Sequence, residues 1–322
     1  MAAHFTPDTD PDTTSPSAPV TVLYIAGAGR SGSTVLDRVL GASDGVASLN
    51  EIYRLLIDLY EDPGLCSCGE PPETCPFWSR VLARIDGSPA NNPGVGRRML
   101  ALQKRYNHTR YFDKVLSGAF DDDPEFQDYL DWLGTLYRVI AEEAGVPVII
   151  DSSKVPTMAL ILSKIPGLDV RVVHLVRHPA AVAKAWASQK YDPSKQADMP
   201  RQPIWKTALR WRLRTRSCDR LAAHLPVHAL RYEDFTADPA TQTARLVQAI
   251  AADVHPGVTF RDRAANLKAG HTLAGNPDRH TSGWTDIRPA APLKAPLHLR
   301  VMTWALTWPL AGRLGYRIGG RS

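Results

Sequence analysis

A glycine-rich turn near the start of the chain has residues that can hold a phosphate-like anion. Gly27 and Gly32 lie five residues apart, Ser33 and Thr34 follow at once, and Arg30 lies between the glycines. The backbone N–H groups of such a turn, with the N-terminus of a following helix, form a cradle for an anion. A nucleotide triphosphatase needs Lys directly after the second glycine, and this chain has Ser33 there. The turn therefore predicts an anion site of another kind, and a loop without a ligand is the alternative.

Apolar runs place this turn, and three further charged segments, at the ends of predicted strands. Strands are predicted over 20–26, 46–49, 146–150 and 169–176, and helical periodicity follows the first strand. Because strands alternate with helices, the chain is expected to form an α/β domain whose central sheet is mainly parallel and flanked by helices. Ligands of such sheets bind beyond the carboxyl ends of the strands. The functional residues are therefore expected along that edge.

Four charged residues follow these predicted strands. Arg30, Glu51, Lys154 and Arg177 come after the first, second, third and fourth strand, respectively. Three cations and one carboxylate on one edge suit a ligand with two separated anionic groups. An Arg guanidinium donates in a rigid fork, which suits a terminal phosphate at Arg177. The alternative for each residue is a charge at a strand or helix end that binds no ligand.

Five segments, in order, resemble the sulfotransferase superfamily that uses 3′-phosphoadenosine 5′-phosphosulfate (PAPS) as its donor. They are Gly29-Arg30-Ser31-Gly32-Ser33-Thr34, Asp151-Ser152-Ser153-Lys154, Leu175-Val176-Arg177-His178-Pro179-Ala180-Ala181-Val182-Ala183, Leu230-Arg231-Tyr232-Glu233-Asp234 and Gly275-Asn276-Pro277-Asp278-Arg279. The resemblance spans most of residues 21–320 and is nearest to bacterial and protein-tyrosine sulfotransferases. It implies a three-layer, P-loop-like α/β fold and transfer of a sulfuryl group from PAPS to a hydroxyl-bearing acceptor.

The resemblance also implies which residues bind the donor. The glycine-rich loop would hold the 5′-phosphosulfate, Arg177 and Arg279 would hold the 3′-phosphate, and Tyr232 would lie near the adenine. The family usually has Ser eight residues after the 3′-phosphate Arg, where this chain has Ala185, and Ser188 one helical turn further on is expected to replace it. The expected donor-binding residues are Gly29, Arg30, Ser31, Gly32, Ser33, Thr34, Arg177, Ser188, Tyr232 and Arg279.

Sulfuryl transfer to a hydroxyl needs a base and positive charge near the leaving phosphate. Glu51 lies 21 residues after Arg30, the offset of the catalytic Glu in the tyrosine-protein branch that the chain resembles, and it is the predicted base. His108 and His271 are the alternative bases. Lys154 resembles the family's transition-state Lys, and Arg30 would share its role. No metal is expected to be required, because a sulfuryl group carries less charge than a phosphoryl group.

Three of the four cysteines lie close together in the sequence. Cys66, Cys68 and Cys75 form the pattern C-x-C-x₆-C in a loop rich in Pro and Gly, and no His is nearby. Three ligands without a fourth argue against a zinc site, which usually has four. Free thiols are expected in a cytoplasmic protein, and a loop disulfide is the alternative.

The chain is expected to contain one folded domain. Residues 1–19 are polar and Pro-rich, which predicts a disordered tail before a single domain over 20–322. Insertions at about 52–145 and 190–225, both largely helical, are expected to shape the acceptor pocket. The second insertion holds a run of arginines that predicts either a solvated basic helix or a grip on an anionic acceptor: Arg210, Arg212, Arg214, Arg216 and Arg220. The acceptor hydroxyl is expected on a small molecule, a glycan, a phenolic compound or a lipid.

The composition limits the partners. Lys and Arg total 38 against 33 Asp and Glu, which gives a net charge of +5, and because the tail has three Asp and no Lys or Arg, the remainder carries +8. This excess suits an anionic ligand but does not indicate nucleic acid. No apolar run reaches the roughly 18 residues of a membrane span, and no signal-peptide pattern opens the chain. A cytoplasmic protein is therefore expected, with interfacial membrane contact near Trp304 and Trp308 as the alternative.

Two other functions fit part of the pattern. A nucleotide-dependent kinase or hydrolase would use ATP and Mg²⁺, and the missing loop Lys argues against it. A protein that binds adenosine phosphates without turnover would need the same binding residues and no base.

Overall fold

The computed structural model describes residues 19–85, 92–192, 195, 197–250 and 258–319. All but the last residue of the predicted tail, 1–19, lies outside this part of the chain. The strands are β1 Val20–Gly27, β2 Val46–Ser48, β3 Val148–Lys154, β4 Leu168–Val176, β5 Tyr191–Asp192, β6 Ala197–Asp198, β7 Val227–Arg231, β8 Phe260–Arg261, β9 Ala264–Leu267 and β10 Gly283–Asp286. The α-helices are α1 Ser33–Leu40, α2 Leu55–Tyr60, α3 Trp78–Arg84, α4 Pro93–Tyr106, α5 Phe112–Leu116, α6 Pro124–Ala144, α7 Pro156–Leu162, α8 Pro179–Ala187, α9 Ile204–Leu221, α10 Tyr232–Ala237, α11 Pro239–Ile250, α12 Leu297–Thr307 and α13 Leu310–Arg313.

The central sheet has five parallel strands in the order β2-β3-β1-β4-β7. Strand β1 lies in the middle, where Thr21 is in register with Val148 of β3 and Asp169 of β4. All eight residues of β1 are buried, as expected for a parallel strand covered on both faces. The four strands predicted from apolar runs all belong to this sheet, so the predicted parallel α/β fold is confirmed.

Alternate residues of β1 divide the core into two layers. Val22 and Tyr24 pack on one face against the helices of the segment 52–162, whereas Leu23 and Ile25 pack on the other face against α1 and α11. The sheet is therefore the middle of three layers. The first layer is mostly built from the helical insertion that precedes β3.

The chain reverses in an unusual way at the carboxyl edge of the sheet. Arg30, Asn50 and Lys154 have positive φ angles of 67°, 57° and 69°, a left-handed conformation that costs about 1–2 kcal/mol for a residue with a side chain. They follow or end β1, β2 and β3, which are neighbours in the sheet. Such strain is concentrated at functional sites, and here it lies on the edge at which the sequence predicts the ligand.

Outside the central sheet, the chain turns at Asp238 and Pro239 between α10 and α11. The small antiparallel sheet β8–β10 had no expected counterpart. Within the described residues, no helix combines the length and the apolar character that crossing a membrane requires.

Candidate active site

The glycine-rich loop joins β1 to α1 and is held by two aromatic rings. A Cβ on Gly29 would lie 2.8 Å from Cζ2 of Trp186, and a Cβ on Gly32 would lie 2.3 Å from the ring of Tyr232. Both positions therefore need glycine for space. Gly32 caps α1 without a side-chain hydrogen bond, which leaves the start of this helix available to an anion. Ser31 is buried, and its hydroxyl has no hydrogen-bond partner in the described part of the chain.

Arg30 projects from this loop over an aromatic ring. Its Cζ lies 5.1 Å from the centroid of the Trp186 ring, and Nη2 lies 2.9 Å from Sδ of Met199. Trp186 Nε1 donates a 3.1 Å hydrogen bond to the carbonyl of Gly29. Burial lowers the pKa of Arg30 from its ordinary value, and the nearby charge of Glu51 opposes this effect. Trp186 thus fixes both the loop backbone and its cation.

Glu51 and Lys154 form an ion pair beside the loop. The distance from Lys154 Nζ to Glu51 Oε1 is 2.5 Å, and the two side chains are 13% and 21% exposed, respectively. The same ammonium group donates to the carbonyl of Ser152 at 3.0 Å. The backbone N–H of Ser152 donates to the carbonyl of Asn50 at 2.7 Å, which ties the ends of β2 and β3 together. The predicted base and the predicted transition-state Lys are therefore in direct contact.

Arg177 reaches the glycine-rich loop from the end of β4. Its Nη1 donates to the carbonyl of Arg30 at 3.0 Å, and its Cζ lies 4.6 Å from the centroid of the Tyr232 ring. Trp211 Nε1 donates to the carbonyl of Arg177 at 3.0 Å. Nε of Arg177 is buried without a hydrogen-bond partner among the residues described. Arg30 and Arg177 thus lie side by side on one edge of the sheet.

A segment near the end of the chain, 275–280, covers the loop. The N–H of Asn276 donates to Oγ1 of Thr34 at 3.1 Å. Arg279 is 5% exposed, and its guanidinium donates to the carbonyls of Leu65 at 3.0 Å and Gly275 at 3.4 Å. Burial lowers the pKa of Arg279, against the opposing charges of Asp192 and other acidic groups.

Three of the predicted residues make contacts away from this edge. Ser188 is exposed at the end of α8, and its hydroxyl donates to the carbonyl of Lys184 at 2.8 Å. The alternative base His108 accepts from the N–H of Arg110 at 3.1 Å, and burial lowers its pKa. His271, the other alternative, lies beside the three clustered cysteines. The donor-binding role of Ser188 stays a prediction.

One half-buried, inward-facing cation was missed by sequence reasoning. Arg214, which the sequence groups with the solvated arginines of α9, donates through Nη1 to the carbonyl of Gly27 at 3.0 Å. Burial lowers its pKa. Arg210, Arg212 and Arg216 are exposed, as the solvated basic helix requires. Helical periodicity could have indicated that Arg214 faces inward, because it lies about one turn after the apolar Trp211.

The fold is that of an α/β protein whose central sheet has Arg30, Lys154, Arg177 and Glu51 at its carboxyl edge, and sequence comparison gives its family. A model of the sulfotransferase family matches residues 23–256. The chain belongs to this family and is a sulfotransferase. No curated protein matches it.

Two solved structures are similar to this chain. One is the sulfotransferase domain from the olefin synthase of Synechococcus PCC 7002, which is 20% identical, with a TM-score of 0.46 over 97% of this chain and 98% of that one. The other is the sulfotransferase domain from the Curacin biosynthetic pathway, 18% identical, with a TM-score of 0.45 over 94% of this chain and 99% of that one.

Proposed function

We propose that this sulfotransferase moves the sulfuryl group of PAPS to a hydroxyl of its acceptor at the carboxyl edge of the central sheet. The observation that carries the proposal is the order of charges along this edge. Because the strand order is β2-β3-β1-β4, Glu51, Lys154, Arg30 and Arg177 follow one another along it. A donor with two anionic ends would lie across Arg30 and Arg177, next to a carboxylate at the acceptor end.

The residues present suit a ligand with phosphate groups. Ser31 Oγ, Asn50 Nδ2 and Arg177 Nε are buried and have no hydrogen-bond partner within the described ranges, and such groups cost about 1–3 kcal/mol each when left unpaired. The loop Gly29–Thr34 would hold the 5′-phosphosulfate and Arg177 the 3′-phosphate. Tyr232 would lie beside the adenine, and Arg279 and Ser188 remain expected 3′-phosphate contacts.

The charged side chains would divide the chemical work. When bound, PAPS supplies the sulfuryl group and a phosphate leaving group. The Lys154 ammonium would leave its ion pair with Glu51 and pair instead with an anionic oxygen of the donor. Oε1 of Glu51 would then be free to take the proton from the hydroxyl of the acceptor substrate. Lys154 and Arg30 would then stabilise the negative charge that grows on the leaving oxygen. Fixed cations suffice for this charge, so we expect no requirement for a metal in the chemical step.

The acceptor would enter from the side of the two helical insertions, about 52–145 and 190–225. This assignment is supported by the position of Glu51, which immediately precedes the first insertion. The exposed Arg210 and Arg212 would favour an acceptor that carries negative charge. The hydroxyl itself would belong to a small molecule, a glycan, a phenolic compound or a lipid.

Calorimetry with three nucleotides tests the identity of the donor. We expect adenosine 3′,5′-bisphosphate to bind more tightly than ATP with Mg²⁺. In Arg177→Ala, the preference for this bisphosphate over AMP should fall by about 10- to 100-fold, because the variant loses a charge-assisted contact with the 3′-phosphate. Tighter binding of ATP with Mg²⁺ would contradict the proposal and favour a kinase or hydrolase.

Two substitutions test the catalytic roles. Glu51→Gln and Lys154→Ala should each lower transfer from radiolabelled PAPS by about 10²- to 10⁴-fold and leave binding of adenosine 3′,5′-bisphosphate largely intact. Glu142→Gln and Lys164→Ala are matched controls, because these residues lie near the starts of β3 and β4, at the opposite edge of the sheet. Full activity of both site variants would refute the assigned roles.

A further inference from the structure

Four side chains that can bind a metal converge at a place that the proposed chemistry does not use. Cys66, Cys68 and Cys75 belong to the loop between α2 and α3, and His271 comes from the segment between β9 and β10. Their ligand atoms all lie within 4.8 Å of one another. Cys66 and Cys75 are buried, His271 is half-buried and Cys68 is exposed. The fourth ligand that the sequence lacked near the cysteines is thus supplied by a residue 196 positions after Cys75.

The spacing of the four atoms fits one tetrahedral metal ion. Sγ of Cys75 lies 3.6 Å from Sγ of Cys66 and 3.6 Å from Sγ of Cys68. Nδ1 of His271 lies 3.2 Å from Sγ of Cys75 and 3.9 Å from Sγ of Cys66. In a tetrahedron with Zn–S of about 2.3 Å and Zn–N of about 2.0 Å, two sulfurs are about 3.8 Å apart, and a sulfur and a nitrogen are about 3.5 Å apart. A disulfide would need an S–S distance of about 2.05 Å, and all these cysteines are free.

The surrounding backbone holds both halves of the cluster in place. The N–H of Gly69 donates to the carbonyl of Cys66 at 2.9 Å, closing a tight turn, and Gly69 has the positive φ of 96° that this turn requires. The imidazole of His271 stacks on the Phe77 ring with 5.6 Å between centroids. Trp78 Nε1 donates to the carbonyl of His271 at 2.8 Å. The ligands are therefore oriented by contacts of their own.

We propose that Cys66, Cys68, Cys75 and His271 bind one Zn²⁺ ion in a structural site. Three thiolates and one imidazole are a ligand set that zinc takes, and four protein ligands leave no position open for substrate. Magnesium and calcium prefer oxygen ligands, which this cluster does not offer.

The site would fasten the segment that covers the glycine-rich loop. Next to the cluster, the N–H of Ser67 donates to the carbonyl of Thr272 at 2.9 Å, and its hydroxyl donates to the carbonyl of Gly270 at 2.6 Å. Arg279 binds the carbonyl of Leu65, directly before Cys66. A metal at the cluster would add a bond between the same two segments. Its loss should therefore lower stability and loosen the donor site without touching a catalytic side chain.

Metal analysis of the full chain tests this proposal independently of sulfuryl transfer. Protein purified with a reductant and without a chelator should contain about one zinc ion per chain, as measured by inductively coupled plasma mass spectrometry. Cys68→Ser and His271→Ala should each reduce zinc content or affinity by about tenfold or more, since each removes a direct ligand. Cys218→Ser is the matched control, because Cys218 is a buried thiol in α9 outside the cluster. This variant should contain as much zinc as the unmodified protein.

A measurement on the unmodified protein covers the case in which a ligand variant fails to fold. Titration of the thiols with an organomercurial should release zinc in step with modification of the clustered cysteines, and Co²⁺ in place of zinc should show the absorption of a tetrahedral thiolate complex. Absence of metal from the purified protein, full zinc content in both ligand variants, or a disulfide among Cys66, Cys68 and Cys75 would overturn the proposal.

Discussion

Gly32→Ala tests whether the glycine-rich loop is held in place by the ring of Tyr232. The added Cβ would lie 2.3 Å from two carbons of this ring, whereas carbon atoms ordinarily approach to about 3.5–4.0 Å. The ring must therefore move by more than about 1 Å. It is not free to do so, because the Arg177 guanidinium lies over it and also donates to the carbonyl of Arg30. A methyl group at position 32 should thus displace Arg30 and Arg177, the two cations of the proposed donor site.

Two costs combine in this variant. The φ of Gly32 is 94°, and an alanine in this left-handed region costs about 1–2 kcal/mol. Overpacking against the ring adds about 1–3 kcal/mol. Gly45 has a φ of 74° and open space where a Cβ would be, so Gly45→Ala has only the first cost. We expect the free energy of unfolding to fall by about 2–5 kcal/mol in Gly32→Ala and by about 1–2 kcal/mol in Gly45→Ala.

Urea unfolding measures this difference in stability, and calorimetry with adenosine 3′,5′-bisphosphate measures its effect on the site. Because the added methyl group should displace Arg30 and Arg177, binding of adenosine 3′,5′-bisphosphate should weaken by about 5- to 150-fold. A double-mutant cycle with Tyr232→Ala isolates the clash, which should appear as a coupling of about 1–3 kcal/mol. Equal loss of stability in Gly32→Ala and Gly45→Ala, together with unchanged binding, would show that the Tyr232 ring does not hold the glycine-rich loop in place.

Trp186 and Asp37 give two further predictions. Trp186→Phe removes the hydrogen bond to the Gly29 carbonyl but keeps an aromatic ring beside Arg30. Binding of adenosine 3′,5′-bisphosphate, measured by calorimetry, should therefore weaken about fivefold. An unchanged affinity would contradict this prediction. Burial raises the pKa of Asp37 from 3.8 to about 7. The folded chain therefore keeps a proton that the unfolded chain loses, and this group's contribution to stability falls by on the order of 4 kcal/mol as the pH rises from about 4 to 7. Asp37→Asn should remove this decline in urea titrations across that pH range, and an equally steep decline in the variant would contradict the assignment.

The fold was largely predictable because its strands are short apolar runs between helical segments. The rule that ligands bind at the carboxyl ends of parallel strands then placed Arg30, Glu51, Lys154 and Arg177 on one edge. Their order was not predictable, since nothing in the sequence says that β3 lies between β2 and β1. The contact between Lys154 and Glu51 depends on this order. The Glu51–Lys154 pair is therefore a finding of the structure.

Long-range side-chain contacts were the other part that the sequence did not reveal. His271 joins cysteines about 200 positions before it, and no local spacing rule reaches so far. The inward direction of Arg214 was hidden because the neighbouring Arg212 and Arg216 on the same helix are exposed. Trp186 has an ordinary helical position in α8, and only the close approach of Gly29 to its ring reveals its role.

The strained residues at the sheet edge are held by neighbouring strands rather than by their own loops. The carbonyl of Arg30 accepts a hydrogen bond from Arg177 of the next strand. The hydroxyl of Tyr24 in β1 donates to the carbonyl of Val155 at 2.9 Å and accepts from its N–H at 3.1 Å, which fixes the chain directly after Lys154. Because left-handed conformations persist only where surrounding contacts enforce them, the two cations are positioned by the sheet itself. A site built in this way can place charge beside a transferring group without waiting for a loop to order.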